Sequence, residues 1–278
     1  MTDRYAVVGN PVAHSLSPRI HAAFAAATGQ ALRYDRLLAP MDGFAAAVAT
    51  FFGEGGAGVN VTVPFKEEAA RWVTELVDDA RAAGAVNTIA RSGRGFCGYN
   101  TDGAGLVRDL TANCGLCLRG ARVLLLGAGG ASRGAARPLL AEQLGCLAIA
   151  NRTEARALAL ARALSAQGPG VEVRGLALTD VAPGFDVIIN ATSAGLAAAV
   201  PDIVPAAVAG TFCYDMTYAP SGDRADTAFC RWAAEQGASR AVDGLGMLVE
   251  QAALAFELWR GVTPATAPVL ELLRRDGV

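Results

Sequence analysis

The chain has 278 residues, 53% of them hydrophobic, and a net charge of −2 from 24 basic and 26 acidic side chains spread along its length. That is enough apolar material for one large domain or two modest ones, and it excludes the basic stripe of a nucleic-acid binder and the polar tail of a disordered protein. Charges, glycines or prolines interrupt every apolar run before membrane-spanning length, and "MTDR" leads straight into a strand rather than a secretory leader, so a cytoplasmic protein is expected.

The elements alternate from the start. "RYAVVGNP" is an apolar strand stopped by Gly-Asn-Pro, and Ser17-Pro18 reads as a cap followed by proline at the first position of a helix to about Thr28. "LRYDRLLAP" is a second strand, "DGFAAAVATFF" a helix, and "AGVNVTVPF" a third strand whose exit carries Lys66, Glu67 and Glu68. "AVNTIAR" and "GFCGYNTD" flank Ser92-Gly93-Arg94-Gly95, a tight hairpin connection. "TDGAGLVRDL" opens a second block with a capped helix. "ARVLLLGAGGASRGAARPLL" then reads as strand, glycine turn and helix, "CLAIANRT" as a strand and "EARALALARAL" as a helix. "VEVRG", "FDVIINATS" and "TFCYDMTY" are strands, "ADTAFCRWAAEQG" is a helix, and two helices, Gly244–Arg260 and Pro264–Arg275, close the chain. Strands alternating with helices predict an α/β protein built on a parallel sheet with helices on both faces.

The six cysteines lie among apolar neighbours and read as small buried hydrophobes. Cys114 and Cys117 form a C-x-x-C pair, but no second ligand pair accompanies it, and two histidines, His14 and His21, are too few for a His-based metal centre. No metal is expected.

Gly127-Ala128-Gly129-Gly130-Ala131 sits where an apolar strand gives way to a helix. Gly127 permits the tight turn, Gly129 lets the backbone approach a pyrophosphate, and Gly130 and Ala131 keep the helix start slim so that its N–H groups can face phosphates. Ser132 occupies the third small-residue position of this dinucleotide fingerprint, a minor departure. The following strand ends in Asn151, Arg152 and Thr153, with Arg156 one helical turn beyond Arg152. An NAD site usually places an acidic side chain there for the ribose hydroxyls, whereas two guanidiniums and a hydroxyl suit a 2′-phosphate, so NADP is the expected cofactor. Thr153 also has the place of a helix cap.

In order and spacing, "VVGNPVAHSLSPRIH", "NVTVPFKE", "GAVNT", "YNTDG", "GAGGASRG", "NRT", "NATSAG", "YDMTY" and "DGLGMLVEQAA" resemble the shikimate dehydrogenase family over essentially the whole chain. The resemblance implies reversible, NADPH-dependent reduction of 3-dehydroshikimate to shikimate, a step of aromatic amino-acid biosynthesis. It implies two α/β domains: a substrate domain over residues 1–101, a Rossmann NADP-binding domain over 102–242, and C-terminal helices over 243–278 returning to the substrate domain.

Lys66 matches the family's catalytic lysine and Asp102 its partner. Oxidising a secondary alcohol needs a base for the hydroxyl proton, and the reverse needs an acid. A lysine can do both where its surroundings favour the neutral amine; a neighbouring carboxylate favours the ammonium, so Asp102 is better suited to orienting it and holding a substrate hydroxyl. Taken alone, Lys66 would be the start of an exposed helix. Ser15 and Ser17 match carboxylate-binding serines, Ser17 being equally a cap; Asn60, Thr62, Asn87, Tyr218 and Gln251 match further substrate contacts, with Asn60 able to face the other side of its strand. Ala191, Thr192, Met216 and Gly244 fall where the family contacts the nicotinamide half, and Asp78 near the cofactor. His14 and His21 receive no role.

"LAAAVPD" after "NATSAG" and "SGDRADTAF" depart from the usual pattern and bear on loop lengths, not chemistry. Relatives that also oxidise quinate tend to carry Ser-x-Thr and a less basic ribose pocket; "SLS" with "NRT" points to the shikimate-specific, NADP-using type. The rivals are a quinate/shikimate dehydrogenase with relaxed cofactor use and a catalytically silent ligand-sensing homologue. Expected partners are small molecules, not nucleic acid or membrane, with a monomer or homodimer as the assembly.

Overall fold

Twelve strands and ten helices stand out in a computed structural model that describes residues 2–93, 95–166, 170–192, 200–219 and 226–277. They fall into two compact units: Met1–Gly105 with Leu248–Arg274, and Leu106–Met247 with Arg275–Val278.

The first unit contains β1 (Asp3–Gly9), α1 (Ser17–Thr28), β2 (Leu32–Leu38), α2 (Phe44–Gly53), β3 (Gly56–Val61), α3 (Lys66–Trp72), β4 (Glu75–Leu76), α4 (Asp78–Ala83), β5 (Thr88–Ser92) and β6 (Gly95–Tyr99). The helix α5 (Asp102–Arg108) begins within it. Its sheet runs β2-β1-β3-β5-β6-β4. β1 pairs parallel with β2 and β3, but β5 is antiparallel to both β3 and β6. The parallel sheet expected from strand–helix alternation is therefore mixed here. The cause is the hairpin, because strands joined by a tight turn must run antiparallel. Ser92 pairs with Gly95 across that turn; Arg94 within it lies outside the described residues.

β1 and β3 are buried on both faces, which is why they read as near-continuous apolar runs. Ala6, Val8, Val59, Val61 and Ile89 pack on one side with Phe44, Phe52 and Phe65, while Tyr5, Val7, Val12 and Tyr34 pack on the other. His21 of α1 is fully buried in the second layer. Its ring stacks on Tyr34 at 4.2 Å, with Phe24, Phe256 and Trp259 around it.

The second unit contains β7 (Arg122–Leu126), α6 (Gly130–Ala141), β8 (Cys146–Asn151), α7 (Glu154–Ser165), β9 (Glu172–Ala177), β10 (Val187–Asn190), β11 (Phe212–Asp215), α8 (Ala228–Glu235) and β12 (Arg240–Val242). All its strand pairs are parallel, in the order β12-β11-β10-β7-β8-β9. The order reverses between β7 and β10, and in doubly wound sheets ligands bind at the carboxyl ends of the strands at that point. β12, only three residues long, escaped the sequence reading.

The last two helices are α9 (Leu245–Arg260) and α10 (Ala267–Arg275). α10 starts later than the Pro264 expected, because Pro268 is tolerated only in a first turn, where its missing N–H breaks no bond. Among the described residues no helix is long and apolar enough to cross a membrane.

His21 yields a test of this packing. Burial pulls its imidazole from 6.5 down to about 3, with the Asn60 side chain nearby opposing. Below pH 6.5 the unfolded chain takes up a proton that the folded chain refuses until about pH 3, so stability falls with pH across that window. Urea unfolding should show His21→Phe removing about 2 kcal/mol of the stability loss between pH 7 and pH 5. An unchanged pH dependence in the variant would contradict the burial.

Candidate active site

At the exit of β3 the chain is pinned by its own backbone. The Thr62 N–H donates to the Val8 carbonyl (2.9 Å), the Phe65 N–H to the Thr62 carbonyl (3.0 Å), and the Phe65 ring is buried against Phe44. The Val86 N–H closes onto the Lys66 carbonyl at 2.9 Å. Lys66 thus opens α3 from a fixed base, and its Nζ lies 2.7 Å from Asp102 Oδ2. With 32% of the Lys66 side chain and 16% of the Asp102 side chain exposed, the pair is neither a free surface bridge nor a sealed one.

Asp102 is held on its other side as well. Asn87 Nδ2 donates to Asp102 Oδ1 (2.8 Å), and the Asp102 N–H donates to Asn100 Oδ1 (3.1 Å). Asn87 Oδ1 accepts from the Thr101 N–H (2.9 Å) and the Thr88 hydroxyl (3.0 Å), while Nδ2 also faces Thr101 Oγ1 (2.9 Å) and Gln251 Oε1 (3.3 Å). Thr101 donates to the Gln251 carbonyl at 3.1 Å. Lys66, Asp102, Asn87 and Gln251, far apart in sequence, therefore form one hydrogen-bonded cluster. Thr101 belongs to it too. Sequence reasoning passed it over, although a hydroxyl inside "YNTDG" beside the carboxylate was the available signal.

The other expected contacts of this unit sort differently. Ser17 is not the cap but the first residue of α1, with Leu16 in the cap position. The Ser15 hydroxyl accepts from the Ser17 N–H (3.3 Å) and donates to Ser17 Oγ (3.2 Å), which joins the two serines, and no side chain caps α1. Asn60 is buried and turned inward: its Oδ1 accepts from the Tyr34 hydroxyl (2.6 Å), and its Nδ2 donates to the Asn87 carbonyl (3.2 Å) and Thr88 Oγ1 (3.0 Å). Both of its N–H groups are committed there, beneath Asn87. Thr62 is half-buried, and its hydroxyl meets no partner among the described residues. Asp78 is exposed at the start of α4.

In the second unit, the chain leaves β7 through Gly127, whose φ of +104° excludes most side chains and whose N–H donates to the Ala150 carbonyl at 2.7 Å. A methyl group at Gly127 would come 3.2 Å from the Ala191 carbonyl. At Gly129, which caps α6, a methyl group would meet nothing within 4 Å; the helix start faces open space. Ala128 and Gly130 are half-buried beside it and Ala131 is exposed, while Ser132 is fully buried in the core of the unit.

At the end of β8, Asn151 Nδ2 donates to the Thr153 carbonyl at 2.9 Å, shaping a turn ahead of α7. Thr153 occupies the cap position but makes no capping bond. Arg152 precedes the helix, so the helical spacing that placed it on one face with Arg156 does not apply. Both arginines are exposed and neither has an ion-pair partner among the described residues. Unpaired guanidiniums, a free hydroxyl and an open glycine-lined helix start fit a phosphorylated nucleotide.

Ala191 and Thr192 follow β10, where Asn190 Oδ1 accepts from the Thr192 N–H (3.2 Å) and hydroxyl (2.7 Å). Asn190 Nδ2 donates to Asp215 Oδ1 (3.2 Å), and the Met216 N–H donates to the Asn190 carbonyl (2.9 Å). Gly244 donates to the Thr217 carbonyl (2.8 Å), and a methyl group there would meet the Met216 carbonyl at 2.6 Å. These four expected residues thus gather around Asn190 and Asp215, which the sequence reading did not single out. Burial pushes the Asp215 carboxyl up, with hydrogen bonds from Thr227, Thr217 and Asn190 opposing. Tyr218 lies half-buried after β11, and burial raises its phenol. Segments 193–199 and 220–225, which hold much of the two departures from the family pattern, lie outside the described residues. All six cysteines are free, Cys114 and Cys117 included, and the described residues contain no cluster of metal ligands.

Three family models match the chain: the shikimate dehydrogenase substrate binding domain over residues 7–89, shikimate / quinate 5-dehydrogenase over 109–208, and the shikimate 5'-dehydrogenase C-terminal domain over 244–274. The shikimate dehydrogenase (NADP(+)) of Dechloromonas aromatica is 54% identical over 276 residues, covering 99% of this chain and 98% of that protein. The crystal structure of an Ael1 enzyme from Pseudomonas putida superposes with a TM-score of 0.91 at 42% identity, over 98% of each chain. Shikimate 5-dehydrogenase from Thermus thermophilus, in complex with NADP(H) and shikimate, gives a TM-score of 0.84 at 32% identity, over 99% of this chain and all of that one.

Thr101 tests the cluster. Thr101→Val removes the donor to Gln251 and the hydroxyl beside Asn87, leaving buried polar groups unpaired. It should lower stability by about 1–3 kcal/mol, read as a lower urea midpoint, with Thr101→Ser recovering most of it. Equal midpoints for Thr101→Val and the wild type would refute the network.

Proposed function

We infer, since the chain belongs to the shikimate dehydrogenase family, that it is an NADP-dependent shikimate dehydrogenase, reducing 3-dehydroshikimate reversibly to shikimate. The observation that carries the chemistry is the 2.7 Å contact between Lys66 Nζ and Asp102 Oδ2. When bound, NADPH supplies the hydride that reduces the carbonyl carbon. Lys66 donates the proton to the carbonyl oxygen as it becomes a hydroxyl, and in the oxidation direction takes that proton back. Asp102 fixes the direction of Nζ and accepts a substrate hydroxyl; its own carboxylate is held by Asn87. A group oriented in advance loses little freedom on reaching the transition state.

The remaining roles follow from what each side chain has left to offer. Ser15 and Ser17 bind the substrate carboxylate at the start of α1, where the helix dipole favours an anion. The Thr62 hydroxyl, Asn87, Gln251 and Tyr218 bind ring hydroxyls. Asn60, whose N–H groups are committed inward, supports Asn87 from below. Gly127, Ala128, Gly129, Gly130 and Ala131 hold the pyrophosphate, and Asn151, Arg152, Thr153 and Arg156 hold the 2′-phosphate. Ala191, Thr192, Met216 and Gly244 bound the nicotinamide, with Asp78 a further cofactor-proximal group. Residues 1–101 and 243–278 act as the substrate domain and 102–242 as the nucleotide domain. A cytoplasmic location and a monomer or homodimer complete this reading, which rests on small diffusible reactants.

Lys66→Ala should lower kcat for NADP-dependent shikimate oxidation by about 100-fold or more, with KM for shikimate changed by less than about threefold; an unchanged kcat would refute its role. Replacing Arg152 and Arg156 together by Gln should raise KM for NADP by about tenfold or more and leave KM for NAD nearly unchanged. Equal effects on both cofactors would refute the 2′-phosphate assignment.

A further inference from the structure

Two hydroxyls hold a carboxylate by hydrogen bonds but do not neutralise it, and an anion poorly compensated at a protein surface binds weakly. No basic side chain lies between Ser15 and Ser17 in the sequence. The structure brings one from β2. Arg36 donates from Nε (3.2 Å) and Nη2 (2.6 Å) to the same backbone carbonyl, that of Ser15. The adjacent acid on the strand, Asp35, is bound to Arg33 at 2.9 Å, and Arg36 has no ion-pair partner among the described residues. Tyr34, two residues back and so on the same side of the strand, reaches Asn60. β2 therefore contacts Ser15 through Arg36 and Asn60 through Tyr34.

We propose that Arg36 is the positioning residue that makes the serine pair selective for a carboxylate. The Ser15 carbonyl oxygen is a partial negative charge on the residue whose hydroxyl would hold the anion. Arg36 covers that oxygen with two N–H groups and sets beside it a positive charge that has no ion-pair partner among the described residues. The loop thereby prefers an anion over a neutral group of the same shape. This inference rests on the reading of Ser15 and Ser17 as the carboxylate-binding pair.

The test measures KM and kcat for shikimate, and the inhibition constant of its neutral carboxamide, in the full-length protein and in Arg36→Met, Arg36→Lys, Ser15→Ala and Ser17→Ala. Arg36→Met should raise KM for shikimate about fivefold, as expected for an exposed charge near an anion, and leave kcat within about twofold. It should leave carboxamide binding nearly unchanged and flatten the salt dependence of kcat/KM; Arg36→Lys should restore part of the acid preference. Equal losses for acid and amide would mean that Arg36 only shapes the loop, overturning the proposal while leaving the serine reading intact. Serine variants with unaltered KM for shikimate would overturn the serine reading and this proposal together. If Arg36→Met does not fold, Arg36→Lys is compared with Arg36→Gln, and the same acid-to-amide preference in both overturns the proposal.

Discussion

A carboxylate that is mostly withdrawn from water needs a hydrogen-bond partner on each oxygen if it is not to destabilise its surroundings. Asp102 meets that constraint with Lys66 on one oxygen and Asn87 on the other. Much of the first unit can be understood as the scaffold for this arrangement. Asn87 must in turn be held, and Thr101, Thr88 and Gln251 surround it. Gln251 comes from α9, so the penultimate helix is tied into the same network as the hairpin strands. The close approach of α5 and α9 depends on Gly105, where a methyl group would meet the Gln251 backbone nitrogen at 2.7 Å.

The second unit solves a different problem. A nucleotide carries its charge on phosphates, so the protein needs exposed N–H groups and cations that are not already paired. The parallel sheet supplies the first by ending β7 in a positive-φ glycine and starting α6 in open space. Arg152 and Arg156 are cations of the second kind, since the fold leaves them without carboxylate partners among the described residues. Around the end of β10 the logic is reversed. There Asn190 and Asp215 are buried and bonded to each other and to the backbone, which stiffens the loops bearing Ala191, Thr192 and Met216.

The interior carries polar groups that neither chemistry uses directly. His21 sits neutral in an aromatic layer, stacked on Tyr34, and Tyr34 in turn fixes Asn60. Such a chain passes packing rigidity from α1 to the residue beneath Asn87. It also explains why an asparagine interrupts the valines of β3. Its amide bridges three strands rather than facing solvent.

Period and punctuation in the sequence were sufficient for most strands, for the hairpin, and for the glycine turn after β7, because each depends on a few neighbouring residues. The nucleotide preference was legible for the same reason, because the fingerprint and "NRT" are local; the division into two α/β domains came from the order of the motifs along the whole chain. Lys66, read locally, was an exposed helix start, and only the ordered set of motifs raised it to a candidate. What the sequence could not decide was partnership between distant positions. Whether Asn60 turns inward, which residue takes the cap position of α1, whether Arg152 joins α7, and which side chains surround Asn87 and Asp215 all depend on atoms brought together from remote segments. Hydrogen-bond geometry is set to tenths of an ångström by tertiary packing, and no spacing along the chain encodes it.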